Sequence, residues 1–220
     1  MPELCSLGQD DWNRLCETIR RGYCILVLGP DAAVDPDNEN APPLGDQLAQ
    51  LLANEYTDNH ESIPPDIDLP LAAELYLHNT QKDRFDLEIR TDNFLQQFDG
   101  KSSLIHRNLA TLPFRLIITT SHDRLIETAL QADELDKQPR TALYNFKDPA
   151  RHSFRLSADP SQPVVYKLFG DRSELESMVL SESELLEFIV KVARGNSTLP
   201  DDIAAQLADP QKAFLFIGFG

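Results

Sequence analysis

Apolar residues in this 220-residue chain form short continuous runs, separated by segments where they recur every three or four positions. The runs cover residues 23–28 (YCILVL), 114–119 (FRLIIT), 164–168 (VVYKL) and 213–220 (AFLFIGFG), with shorter candidates at 141–146 and 178–180. A run without alternation indicates a strand buried on both faces, as in a parallel sheet. Helical spacing appears at Trp12, Leu15, Cys16 and Ile19, with Gly22 as a stop, and again at Leu44, Leu48, Leu51 and Leu52. Further helices are predicted at about 70–79, 81–98, 102–112 and 123–132, with Gly100 ending the second. Ser181 and Glu184 have capping-box spacing ahead of Leu185, Phe188, Ile189 and Val192. Residues 30–43 and 133–140 read as polar loops, and 54–69, with Pro64 and Pro65 near its centre, as a mobile surface loop.

Loose alternation of strands and helices predicts a Rossmann-like α/β fold: a doubly wound parallel sheet with a helical insertion at about 54–100. One domain is expected over residues 1–220. A strand at 213–220 should lead into a further helix, so the chain is expected to be the N-terminal part of a longer protein.

Composition narrows the function. Apolar content of 41% is ordinary for a soluble domain. A formal net charge of -16 argues against nucleic acid and against an anionic membrane surface as partners. No apolar run approaches the roughly 20 residues that span a bilayer, and no leader pattern opens the chain, so a cytoplasmic location is expected. Cys5, Cys16 and Cys24 form no C-x-x-C pair. Reduced, mostly buried thiols are expected, with no zinc ribbon.

The carboxyl ends of parallel strands are where ligands bind in such sheets. Here those ends read Leu28-Gly29-Pro30-Asp31-Ala32-Ala33, then Thr119-Thr120-Ser121-His122-Asp123 with Glu127, then Lys167-Leu168-Phe169-Gly170-Asp171, and last Ile217-Gly218-Phe219-Gly220. In order and spacing this set resembles the sirtuin-like domains of bacterial defence-type proteins, over about residues 8–220. His106 also matches a histidine often seen in them. The resemblance implies an NAD or ADP-ribose pocket formed by Gly29, Pro30, Asp31, Ala32, Ala33, Thr120, Ser121, Asp123, Gly170 and Gly218. It further implies antiphage defence, homo-oligomerisation and a following effector domain such as TIR.

The departures from that pattern fall on the chemistry. A loop glycine is replaced by Asp31, whose carboxylate would repel a pyrophosphate, and Pro30 removes an amide donor. The family's ribose-orienting asparagine is Ser121, and its general-base histidine is Phe169, which accepts no proton. The expected function is a non-catalytic sirtuin-like module for oligomerisation, sensing or scaffolding. The alternatives are an active NAD glycohydrolase using Ser121 or His122, and an interaction domain that binds no nucleotide.

The bland readings of these residues are a surface histidine on the first helical turn for His122 and a helix cap for Ser121. Asp123 is either a helix N-terminal charge partner or a ribose contact. His106 is expected to pack under the preceding loop, and His60, His78 and His152 have no ligand spacing. G-x-S-x-G and G-x-x-x-x-G-K-[ST] are absent, against a nucleophile elbow and a P-loop. The acidic stretch 173–187 reads as a solvated helix face and its approach.

Overall fold

A computed structural model describes residues 8–56, 64, 66–78, 81–148, 156–157, 159–194 and 199–220. Five parallel strands form one sheet in the order β3-β4-β2-β1-β5. They are β1 (Cys24–Leu28), β2 (Leu116–Thr119), β3 (Arg140–Leu143), β4 (Val164–Lys167) and β5 (Ala213–Ile217). The central strands β1, β2 and β4 are buried throughout, as their uninterrupted apolar runs require.

Helices cover both faces. On one, α1 (Gln9–Arg20), α5 (Leu104–Ala110) and α6 (Leu125–Leu130) pack Ile19, Leu109 and Ile126 against Leu26, Ile117 and Val165. On the other, α7 (Glu182–Ala193) and α8 (Asp201–Ala208) pack Phe188 and Ile203 against Val27, Ile118 and Tyr166. The doubly wound α/β architecture is therefore as expected. The insertion comprises α2 (Leu44–Tyr56), α3 (Leu69–His78) and α4 (Arg84–Leu95). Its core of Leu48, Leu52, Ala72, Tyr76, Leu87 and Phe94 joins Leu125, Met178 and Leu180 of the main body. Ser181 caps α7, its Oγ accepting from Glu184 N at 3.3 Å while Glu184 Oε2 accepts from Ser181 N at 3.4 Å.

Several expectations need correction. Strand β5 is an edge strand with one ladder, to β1, so its half-buried and exposed positions alternate. Phe214 and Phe216 stack on the open face, 6.2 Å between centroids. Residues 178–180 are extended but form no strand; Val179 N donates to Phe169 O at 2.9 Å, an isolated link. Cys16 is exposed, and Cys24 alone of the described cysteines is buried. Helix α8 has no counterpart among the expected elements, because DDIAAQLA spans only 8 residues, too short a window to declare a period. Residues 57–63 and 65 of the expected loop at 54–69 lie outside the described residues, while α2 runs on to Tyr56 and α3 begins at Leu69. Among the described residues no helix is long and apolar enough to cross a membrane.

Two glycines let β1 and β5 end against each other. A Cβ on Gly29 would lie 2.1 Å from the Gly218 carbonyl oxygen, and one on Gly218, at φ +79, 2.3 Å from Ala32 N. Gly29→Ala should therefore cost about 3 kcal/mol in chemical denaturation. Gly45→Ala, in a helix and with open space around it, should instead stabilise by up to about 1 kcal/mol. Equal midpoints for the two variants would contradict this packing.

Candidate functional site

Beyond the carboxyl ends of β1, β2, β4 and β5 lies a cavity of about 380 Å³. Its floor comes from the strand-end loops: Pro30 and Asp31, then Thr120, Ser121 and His122, then Phe169, then Phe219. Its roof is the start of α2, the start of α3, Leu95 of α4 and the segment Val179–Ser181. The insertion thus closes a site that the sheet only opens.

The loop after β1 is a single 3-10 turn, Pro30–Ala32, and its amides are already engaged. Gly29 N donates to Ile217 O at 2.8 Å and Asp31 N to Gly218 O at 3.2 Å. Ala32 N and Ala33 N donate to Gly29 O and Pro30 O at 3.2 and 3.1 Å. Pro30 has no amide hydrogen. No amide of residues 29–33 is left to cradle a phosphate. Asp31 adds a carboxylate, which accepts from Gly220 N at 2.8 Å. Asp46 in the first turn of α2 and Asp68 before α3 put two more carboxylates on the cavity lining. Partial burial, then the charges of Asp31 and Asp68, hold the Asp46 carboxyl above the usual aspartate range.

The β2 turn is built around a buried ion cluster. Lys167, 1% exposed, reaches from β4 to within 2.9 Å of Glu127 on α6, and its Nζ donates to the Asp123 carbonyl. Burial opposes the ammonium charge, but Glu127, Asp123 and Asp171 outweigh it and raise the lysine pKa. Asp123 and Asp171 are held below the usual range: burial pushes each up, and the Lys167 charge more than offsets it. Glu127 is pushed up by burial, since beyond the ion pair neither carboxylate oxygen has a hydrogen-bond partner.

Asp123 Oδ1 accepts from Leu125 N at 2.8 Å and its Oδ2 from Ser121 Oγ. Asp123 is therefore the helix-side partner of α6 and stays off the cavity surface. Ser121 does not cap α6; its hydroxyl is spent on Asp123 and its amide donates to Thr119 Oγ1 at 3.1 Å. His122 is not a surface residue: it is 7% exposed, precedes α6, and its Nε2 lies 3.1 Å from the Val179 carbonyl. Facing a carbonyl, Nε2 carries the proton, while Nδ1 is enclosed by the protein, off the solvent. Burial holds the His122 pKa below the ordinary histidine value, against the pull of that carbonyl. His106 is also buried, bonded at Nδ1 to Ser103 Oγ at 2.7 Å, and burial lowers its pKa too.

Phe169 lines the cavity and packs edge-on against Phe188 of α7, 5.1 Å between centroids. The next residue, Gly170 at φ +82, lies so close to Ser177 that a Cβ would meet its carbonyl oxygen at 2.3 Å. Two arginines then fasten this segment to the insertion. Arg172 donates to Asp92 and Asp99, both at 2.7 Å. Arg84 donates to Glu184 at 2.8 Å and to Met178 O at 2.9 Å. Glu184 is thus half-buried in an ion pair, so the acidic stretch 173–187 is only partly a solvated face.

Of the residues expected at a ligand, Pro30, Asp31, Thr120, Ser121, His122 and Phe169 line one cavity. Gly29, Ala32, Ala33, Asp123, Gly170 and Gly218 stand behind it, holding the loops that form it. Sequence reasoning missed Asp46 and Asp68, which nothing local distinguishes from surface acids. It also missed the Lys167–Glu127 pair, although a lysine inside VVYKLFG and a glutamate inside LIETAL were the available signals. His60 and His152 lie outside the described residues. Among the described residues, no three His, Cys, Asp or Glu side chains converge as a metal-holding group.

A five-stranded parallel sheet with helices on both faces defines a Rossmann-like α/β domain. Residues 115–220, which contain β2 to β5, match the family model described as a SIR2-like domain, and over that stretch the chain is sirtuin-like. Two curated relatives carry the name NAD(+) hydrolase ThsA. That of Bacillus cereus (strain MSX-D12) is 30% identical over 153 residues, which is 69% of this chain and 29% of the relative. That of Cytobacillus dafuensis is 28% identical over 169 residues, 76% and 31% respectively. The matched region spans less than a third of either relative.

Removing one partner of the buried pair should be costly. Lys167→Met should lose about 3–5 kcal/mol in urea unfolding, and Lys167→Met with Glu127→Leu should regain much of it. A double variant no better than the single would contradict the ion-pair account.

The histidines set a pH dependence. Because His106 and His122 have folded pKa values below the unfolded 6.5, the unfolded chain binds more protons in that window. Stability should be full above pH 6.5 and fall as the pH drops below it. The lowered carboxylates add their own loss only further down, below about 4. A urea midpoint constant from pH 8 to 5.5 would refute this, and His122→Asn should reduce the slope.

Proposed function

We propose that this chain is a non-catalytic SIR2-like module, serving as a sensing, oligomerisation or scaffold domain of a larger cytoplasmic antiphage-defence protein. Its partners in this reading are further copies of itself and an effector domain such as TIR. The observation that carries the reading is Phe169: an aromatic ring locked against Phe188 stands on the cavity wall where the family pattern expects the general base. The engaged amides of residues 29–33 and the nearby carboxylates add that a pyrophosphate finds no donors there. Retained glycines and lost proton carriers together suit a fold kept for its shape.

A second reading has one observation in its favour. His122 lies on the cavity lining, and burial lowers its pKa so that its neutral imidazole has the chemistry of a base. In that reading the chain hydrolyses NAD, as the relatives' name says of them. Incubation with NAD separates the two. No nicotinamide release above the blank is expected; release abolished by His122→Ala would sink the non-catalytic reading.

A further inference from the structure

We infer that the cavity takes an uncharged, largely apolar small molecule rather than a dinucleotide. This rests on the non-catalytic reading and names the ligand class of the same site. The inner walls carry the inference. Leu44 and Leu48 of α2, Leu95 of α4, Val179 and Leu180 are buried, and all of them line the cavity of about 380 Å³. A charged group set against such side chains would lose its hydration without compensation. Among the described residues no lysine or arginine is on the lining, and the amides of residues 29–33 are engaged within the protein, so a phosphate finds no donor. A second, independent observation is Gly45, on the cavity lining in the first turn of α2. It has no positive φ, and a Cβ there would meet no atom within 4 Å. Neither backbone conformation nor close packing asks for glycine at this position, and a helix is less stable for holding one. What Gly45 provides is room beside the cavity. Pro30, Pro43 and Pro70 also line it, and their fixed φ angles hold the wall backbone in shape. The pocket is thus pre-formed, and its volume falls within the range of small-molecule sites. The rings of Phe169 and Phe219 on its floor suit a flat aromatic body.

The test is calorimetric titration of the whole chain with indole, indole-3-acetate, tryptamine and NAD, which vary charge on one ring system and include the family's nucleotide. Indole should bind about tenfold more tightly than indole-3-acetate and no less tightly than tryptamine, and NAD should give no heat of binding. Gly45→Leu should weaken indole about tenfold while the urea midpoint stays the same or rises, a combination that a merely structural glycine would not give. Leu69→Asp, at a half-buried lining position that starts α3, should weaken indole by about the same factor. No binding of indole at millimolar concentration, tighter binding of indole-3-acetate, tryptamine or NAD, or an indole affinity unchanged in either variant overturns the inference. NAD turnover would overturn it and the non-catalytic reading together. Absence of a preference for indole without turnover overturns the ligand class alone.

Discussion

One ammonium group organises the ligand end of this sheet. Lys167 is fully enclosed, and a lone buried cation would be strongly unfavourable. Glu127 pairs with it, the Asp123 carbonyl accepts from it, and Asp171 adds a third negative charge nearby. These contacts tie β4, α6, the β2 turn and the β4 turn to one point. The Asp123 side chain, fixed from below, takes the Ser121 hydroxyl and the Leu125 amide, and so sets the turn on which Thr120 and His122 ride. A buried ion pair is weak evidence for net stability, but it is demanding about geometry. The cavity floor inherits that geometry.

Shape and chemistry have separated in this site. Gly29, Gly170 and Gly218 sit at backbone approaches that a Cβ would block, and they preserve the closeness of β1 to β5 and of β4 to Ser177. None of these contacts needs a ligand. The polar and aromatic residues lining the cavity are two phenylalanines, three aspartates, hydroxyl residues and His122. Amides that could hold a phosphate are used within the protein, and Pro30 has none. The insertion completes the enclosure, held by Arg84 and Arg172 in ion pairs that cross 100 and 80 residues of sequence.

The fold was readable because strands buried on both faces write themselves as unbroken apolar runs, as at 23–28 and 164–168. Capping was readable too, since Ser181 and Glu184 act within one helical turn. Edge position was not: residues 213–217 look like a core strand, and only the sheet order shows that Phe214 and Phe216 face outward. At the site, strand-end residues could be named because chain order places them together. Their roles could not, since the burial of His122 depends on Val179, fifty-seven residues away in sequence. Asp46 and Asp68 reach the cavity through the packing of α2 and α3, which local sequence does not encode.

Strand β5 also leaves one side of the sheet open. Its outer side has no ladder partner among the described residues, and two stacked phenyl rings lie beside it. Exposed, uncharged strand edges invite intermolecular pairing. What opposes it is the electrostatic repulsion of a molecule carrying a formal charge of -16. Colloidal behaviour therefore hangs on ionic strength, since salt shortens the reach of that repulsion and leaves the adhesive margin as it was.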